Sequence, residues 1–203
     1  MNFNKNLYNQ AEAKEFGEFE SLALGGHEIT ILSAEEYTSP ISTNTSLRVC
    51  VDISGNDEQK GYFKKQYDSQ SGDKKWPTGG IRYLSLKDDQ LSYLKGFITA
   101  VENSNPGFKF DINGDWSQLK AKKLAGVFGL EEYQDQEGKT KVATKLTQFR
   151  SIDKLNEIKI PKVKKLDGSF VDYEEYKNST SKIVNEVFDN NVQISDSDVP
   201  FEI

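Results

Sequence analysis

The chain has 203 residues, 35% hydrophobic and 29% charged, which leaves room for one ordinary domain with solvated appendages. Its net charge of -6 is unevenly spread: residues 1–46 hold two lysines against seven acids, residues 166–203 two lysines against nine, and the stretch between holds 22 basic against 16 acidic residues. One cysteine and one histidine exclude an internal disulfide and a Cys/His zinc cluster, no window approaches the ~18 apolar residues of a membrane span, and MNFNKNLYNQ lacks a signal peptide's basic-then-apolar order, so a cytoplasmic protein without metal or cofactor is expected.

A polar lead over residues 1–20 precedes Gly25-Gly26, and in HEITILSAEEY the residues Ile29, Ile31 and Leu32 predict a first strand. After the Ser/Thr/Pro connection TSPISTNTS comes LRVCVDIS, where Leu47, Val49, Val51 and Ile53 alternate with Arg48, Cys50 and Asp52. Period two predicts a half-buried second strand. The turn GNDEQKG leads to YFKKQY, read as extended, in which the pleat turns one of Tyr62 and Phe63 inward. A polar loop then leads to IRYLSL, the third strand.

In DDQLSYLKGFITAVENSNPG, the residues Leu91, Leu94, Phe97, Ile98 and Val101 fall three and four apart and form one helical stripe. Asp88 and Asp89 suit the positive N-terminal end, and Asn105-Pro106-Gly107 ends the helix. LAGVFGLEEY and KVATKLTQFRSI predict strands four and five around the turn QDQEGK, with glycines inside the fourth marking a bend or bulge. LNEIKIPKVKKLDG reads as an extended basic arm, and Ile183, Val184 and Val187 suggest a short amphipathic helix near 173–188. From about Asp189 onward there is too little apolar surface to offset the entropy of ordering.

Three strands, a helix and two strands make the expected fold mainly β: a five-stranded OB-fold barrel over residues 21–165 with its helix between strands three and four, then a flexible acidic C-terminal tail over 166–203. Phe63 and Phe128 are expected in its core.

Catalysis has little footing. His27 and Cys50 stand alone, the pairs Gly25-Gly26 and Gly79-Gly80 lack the GK[ST] of a phosphate loop, and the carboxylates show no nuclease-like clustering, so no enzyme is expected. Binding has more. Single strands are held by cations along the backbone and by rings on which bases stack. Tyr62, Lys64, Lys65 and Tyr67, then Lys74, Lys75 and Trp76, interleave those residue types, and Arg82, Lys122, Lys123, Lys145 and Arg150 continue the pattern. Trp76, in a Pro/Gly loop, is the expected base platform. A basic body between acidic ends also suits a nucleic-acid binder with an acidic tail. The alternative is a protein-interaction module, an adaptor or inhibitor of a recombinase, helicase or host enzyme, using the same barrel.

SDSDVPF resembles the acidic C-terminal tip of bacterial single-stranded DNA-binding proteins, in which aspartates precede a proline and a phenylalanine. Asp196, Asp198, Pro200 and Phe201 match; Glu202 and Ile203 run past the point where that tip ends. The resemblance implies that the tail meets replication or recombination proteins. The body, through VDISGNDEQKGYFKKQY, KKWPTGGIRYLSL, LKGFITAVENSNPGFKFD, KAKKLAGVFGLEEY and TQFRSIDKL, resembles a phage-encoded family from the replication and recombination modules of temperate phages of Gram-positive bacteria. It implies single-stranded DNA binding in the cytoplasm of an infected host. A homodimer is the expected assembly, since coating proteins often combine barrels.

Overall fold

The computed structural model describes residues 21–40 and 44–180. Its strands are β1 (Gly25–Thr38), β2 (Thr45–Ile53), β3 (Ile81–Ser85), β4 (Lys123–Gln134), β5 (Thr140–Arg150), β6 (Val163–Lys164) and β7 (Phe170–Val171). Two helices interrupt them: α1 (Tyr62–Asp68) before β3 and α2 (Leu91–Ser104) between β3 and β4. Residues 173–180 are also helical.

The sheet runs β3-β2-β1-β4, with β5 on the far edge of β4. β1, β2 and β3 are paired antiparallel, as are β1 with β4 and β4 with β5. Where β1 leaves β4 after Phe128, β6 takes the vacated edge in parallel at Glu131, and β7 pairs with β6. The fold is therefore mainly β with an open sheet: among the described residues no strand ladder joins β3 to β5. The expectation of five strands is corrected by β6 and β7, which extend the sheet past residue 165. The arm forms them because its apolar residues lie across the sheet: Val163 is fully buried, and Pro161 fills the space where a Cβ on Gly129 would sit, 2.4 Å from its Cγ.

Alternation in β2 buries Leu47, Val49, Val51 and Ile53 as expected, all at 3% exposure or less. Cys50 and Asp52 are buried too, so the second half of β2 is covered on both faces rather than half-buried. α2 presents Leu94, Phe97, Ala100 and Val101 to the same core, while Leu91 stands 41% exposed at its first residue. Phe97 packs 4.6 Å from Phe149. Asn105 ends α2 and ties it to β4: its Nδ2 donates to the carbonyls of Val101 and Lys123 at 2.7 Å, and its Oδ1 accepts the Lys123 N–H at 3.1 Å.

The glycines predicted to bend the fourth strand do so by close approach. A Cβ on Gly126 would lie 2.9 Å from Ile29 Cδ1, and the β4–β5 register slips between Val127 and Phe128. Ile158 and Leu155 cover Gly26, the β1 partner of Val127, so the outer face there is dry and β4 is buried from Leu124 to Gly129.

Candidate nucleic-acid interface

YFKKQY is a helix, not an extended segment. Gly61 enters it at φ 69°, a left-handed conformation that glycine adopts without a Cβ clash, and its carbonyl accepts the Lys65 N–H at 2.9 Å. The cap comes from β2: Asp52 Oδ1 accepts the N–H groups of Ile53 at 2.9 Å and Phe63 at 3.0 Å. That is why Asp52 turns inward, and burial pushes its carboxyl above the ordinary range despite the bonds it accepts. Phe63 anchors α1 in the core at 2% exposure, 5.9 Å from the fully buried Phe128, so both expected core phenylalanines are buried. Lys64, Lys65 and Gln66 are left on the exposed side, with Lys64 paired to Asp68 at 2.8 Å.

The loop after α1 folds back over its last turn. The Gln70 amide holds Lys75 through two backbone bonds of 2.9 Å, and Lys74 reaches the Asp68 carbonyl at 2.8 Å while lying 5.6 Å over the Tyr67 ring. Tyr67 and Trp76 pack as a tilted pair with centroids 5.6 Å apart. Trp76 is not a free-standing platform. Its Nε1 donates to the Val51 carbonyl at 3.1 Å and its ring is half-buried against the core.

Pro77–Gly80 then carries the chain under β5. A Cβ on Gly79 would meet the Thr144 carbonyl at 2.7 Å, and one on Gly80 would meet the Phe63 ring and the Val51 carbonyl at 2.9 Å, so two glycines allow this turn to fit. The approach brings Lys145 Nζ within 2.6 Å of Thr78 Oγ1. No carboxylate among the described residues pairs with Lys145 or Arg82. Desolvation holds both below their ordinary values, opposed by the more distant Glu131 carboxylate. Glu131 is itself ion-paired to Lys164. Cations therefore outnumber carboxylates along this seam.

Of the residues expected to bind nucleic acid, Tyr62, Lys64, Lys65, Tyr67, Lys74, Lys75 and Trp76 gather on α1 and its following loop, next to Arg82 and Lys145 at the seam. Lys122, Lys123 and Arg150 lie apart. Lys122 sits 4.4 Å over the Phe108 ring beyond α2. Lys123 is bound to Glu28 at 2.9 Å, and Arg150 turns to Gln148 at 2.7 Å. Arg150 pairs with Ala125 and Lys145 with Gly129 on β4, which separates them by about 13 Å along the strand at a rise of ~3.3 Å per residue. The cations that continue the sequence pattern are thus divided between the seam and the far ends of β4 and β5.

Two groups were not anticipated. Thr78 and Gln66 line the cleft beside Lys145. On the opposite face of β1-β2-β3, Tyr37 and Tyr83 lie 5.4 Å apart with the Arg48 guanidinium 5.8 Å from the Tyr37 ring and 2.5 Å from Glu35. The outward position of Arg48 was legible from the alternation of β2; its alignment with Glu35 and Tyr83 depends on register between strands.

His27 is buried between the Asp57 carboxylate at 3.1 Å and the Ala23 carbonyl at 2.9 Å, edge-on to Phe128. Among the described residues no helix is long and apolar enough to cross a membrane. Asp196, Asp198, Pro200 and Phe201, with Ile183, Val184 and Val187, lie outside the described residues. No protein-family model matches the chain, and no curated protein matches it.

Proposed function

We propose that the chain binds single-stranded DNA without strong sequence preference, through the surface formed by α1, the loop to Gly80 and the β3–β5 seam, and that it serves phage replication or recombination. The observation that carries this reading is the pairing of ring faces with uncompensated cations: Tyr67 and Trp76 side by side under Lys74, and Lys145 and Arg82 without carboxylate partners among the described residues. Backbone phosphates need such cations and unpaired bases need such rings. The order β3-β2-β1-β4-β5, with α2 between β3 and β4 and a glycine turn against β5, supports an OB-type barrel in which Pro77–Gly80 spans the gap between the sheet edges.

A protein-partner reading is favoured by a different surface. Tyr133, Leu166 and Phe170 are 42%, 46% and 63% exposed around the end of β4 and the β6–β7 hairpin. Fluorescence anisotropy separates the two. Binding of oligo-dT at low salt that weakens as salt rises, with a slope of roughly -0.7 per phosphate contacted, and that exceeds binding to duplex supports the strand reading. Equal affinity for duplex, or none for either, removes it.

A further inference from the structure

The cleft between α1, the Pro77–Gly79 turn and β5 has a volume of about 380 Å³, within the ~300–1,000 Å³ range typical of small-ligand sites. Its walls combine groups of three kinds. Tyr62 offers a ring steadied by an edge contact to Phe63 at 5.2 Å. Gln66 offers a side-chain amide with no partner among the described residues. Lys145 offers a half-buried ammonium whose partner is a neutral hydroxyl.

That hydroxyl fixes the polarity of the site. Lys145 donates to Thr78 Oγ1, so the Thr78 O–H proton is directed elsewhere and the ammonium keeps two further N–H groups. An acceptor placed at this edge takes donors from both. A half-buried ammonium without a carboxylate partner favours an anion there: burial lowers the Lys145 pKa, the Glu131 carboxylate opposes that shift, and an anion at the ammonium would favour its charged form.

We infer that this cleft is a one-nucleotide pocket, which takes a phosphate on Lys145 and Thr78 and the attached base against Tyr62 within reach of the Gln66 amide. The inference rests on the single-strand reading and deepens it: one nucleotide of the bound strand leaves the stack on Tyr67 and Trp76 and enters the cleft.

The test uses the full chain, NMR chemical shifts and three probes: thymidine monophosphate, thymidine and inorganic phosphate. Thymidine monophosphate is expected to perturb Tyr62, Thr78 and Lys145 and to bind more tightly than either half alone. Lys145→Gln is expected to weaken it about 10- to 150-fold, the usual loss for a hydrogen bond to a charged group. Thr78→Val is the second variant, with an unchanged melting temperature as the check on folding. Tyr62→Leu should reduce thymidine monophosphate to the affinity of inorganic phosphate. Equal affinity of phosphate and thymidine monophosphate, or full binding by Lys145→Gln, overturns the pocket. Oligo-dT binding that survives while thymidine monophosphate fails to bind sinks the pocket and spares the strand reading. The reverse pattern sinks the strand reading and leaves a mononucleotide site.

Discussion

The Trp76 indole donates to the Val51 carbonyl while its ring lies beside Tyr67, so its structural and binding roles separate by substitution. Trp76→Phe keeps a ring and removes the donor; leaving the carbonyl unpaired should cost roughly 1–3 kcal/mol of stability, read by chemical denaturation, with a small change in oligo-dT affinity. Tyr67→Ala removes a ring whose hydroxyl makes no hydrogen bond among the described residues, and should weaken oligo-dT binding by about 5- to 150-fold as the stacked base is lost. An unchanged affinity in Tyr67→Ala would leave the ring pair as core packing alone.

Glu28 sets the acid response. Burial would raise its pKa, but hydrogen bonds from Ser54 at 2.6 Å, Lys123 at 2.9 Å and Asn56 at 3.1 Å outweigh it and hold the carboxyl below its ordinary 4.5. A depressed folded value means that this stabilisation is complete above the ordinary carboxylate range and disappears as pH falls through the folded value. Asp52 has the opposite sign: its raised value favours the fold below pH 3.8 and loses that contribution as pH rises through the folded value. Glu28→Gln should therefore lower stability at neutral pH and flatten its decline as pH falls below about 4.5, measured by denaturation at fixed pH steps.

At the level of elements, the sequence made visible what local pattern decides. β2 and α2 carried their periods in their own residues. α1 did not: KKQ permits a helix, but the cap that starts it is Asp52, ten residues before Tyr62, and its anchor is Phe63 against Phe128. Extended and helical readings of YFKKQY both turn Phe63 inward, so its burial could be anticipated without its backbone. β6 escaped notice because two residues hold no period, and its partner Glu131 lies 33 positions earlier. The Pro77–Gly80 turn is the most exacting element. A Cβ on Gly79 meets backbone, which cannot swing aside as a side chain can, so Gly79→Ala should destabilise by roughly 1–3 kcal/mol and weaken oligo-dT binding by moving Thr78 from Lys145. Stability and affinity unchanged together would show that the turn moves freely.

For the whole molecule, the division of charge along the chain was readable by counting, and it correctly marked the middle as the basic part. Counting could not say which cations share a face. Lys122, Lys123 and Arg150 carry the same charge as Lys145, yet strand register and the Glu28 pairing draw them away from the seam. Residues 1–20 and 181–203, which carry nine of the sixteen acids in the two end stretches, lie outside the described residues.

Hydrogen exchange on the full chain with and without oligo-dT tests the interface most directly. Slowed exchange is expected over residues 62–80 and 143–146, with little change at 122–125 and 148–150. Protection confined to the Arg48 and Tyr83 face, or to the start of β4 and the end of β5, would contradict it.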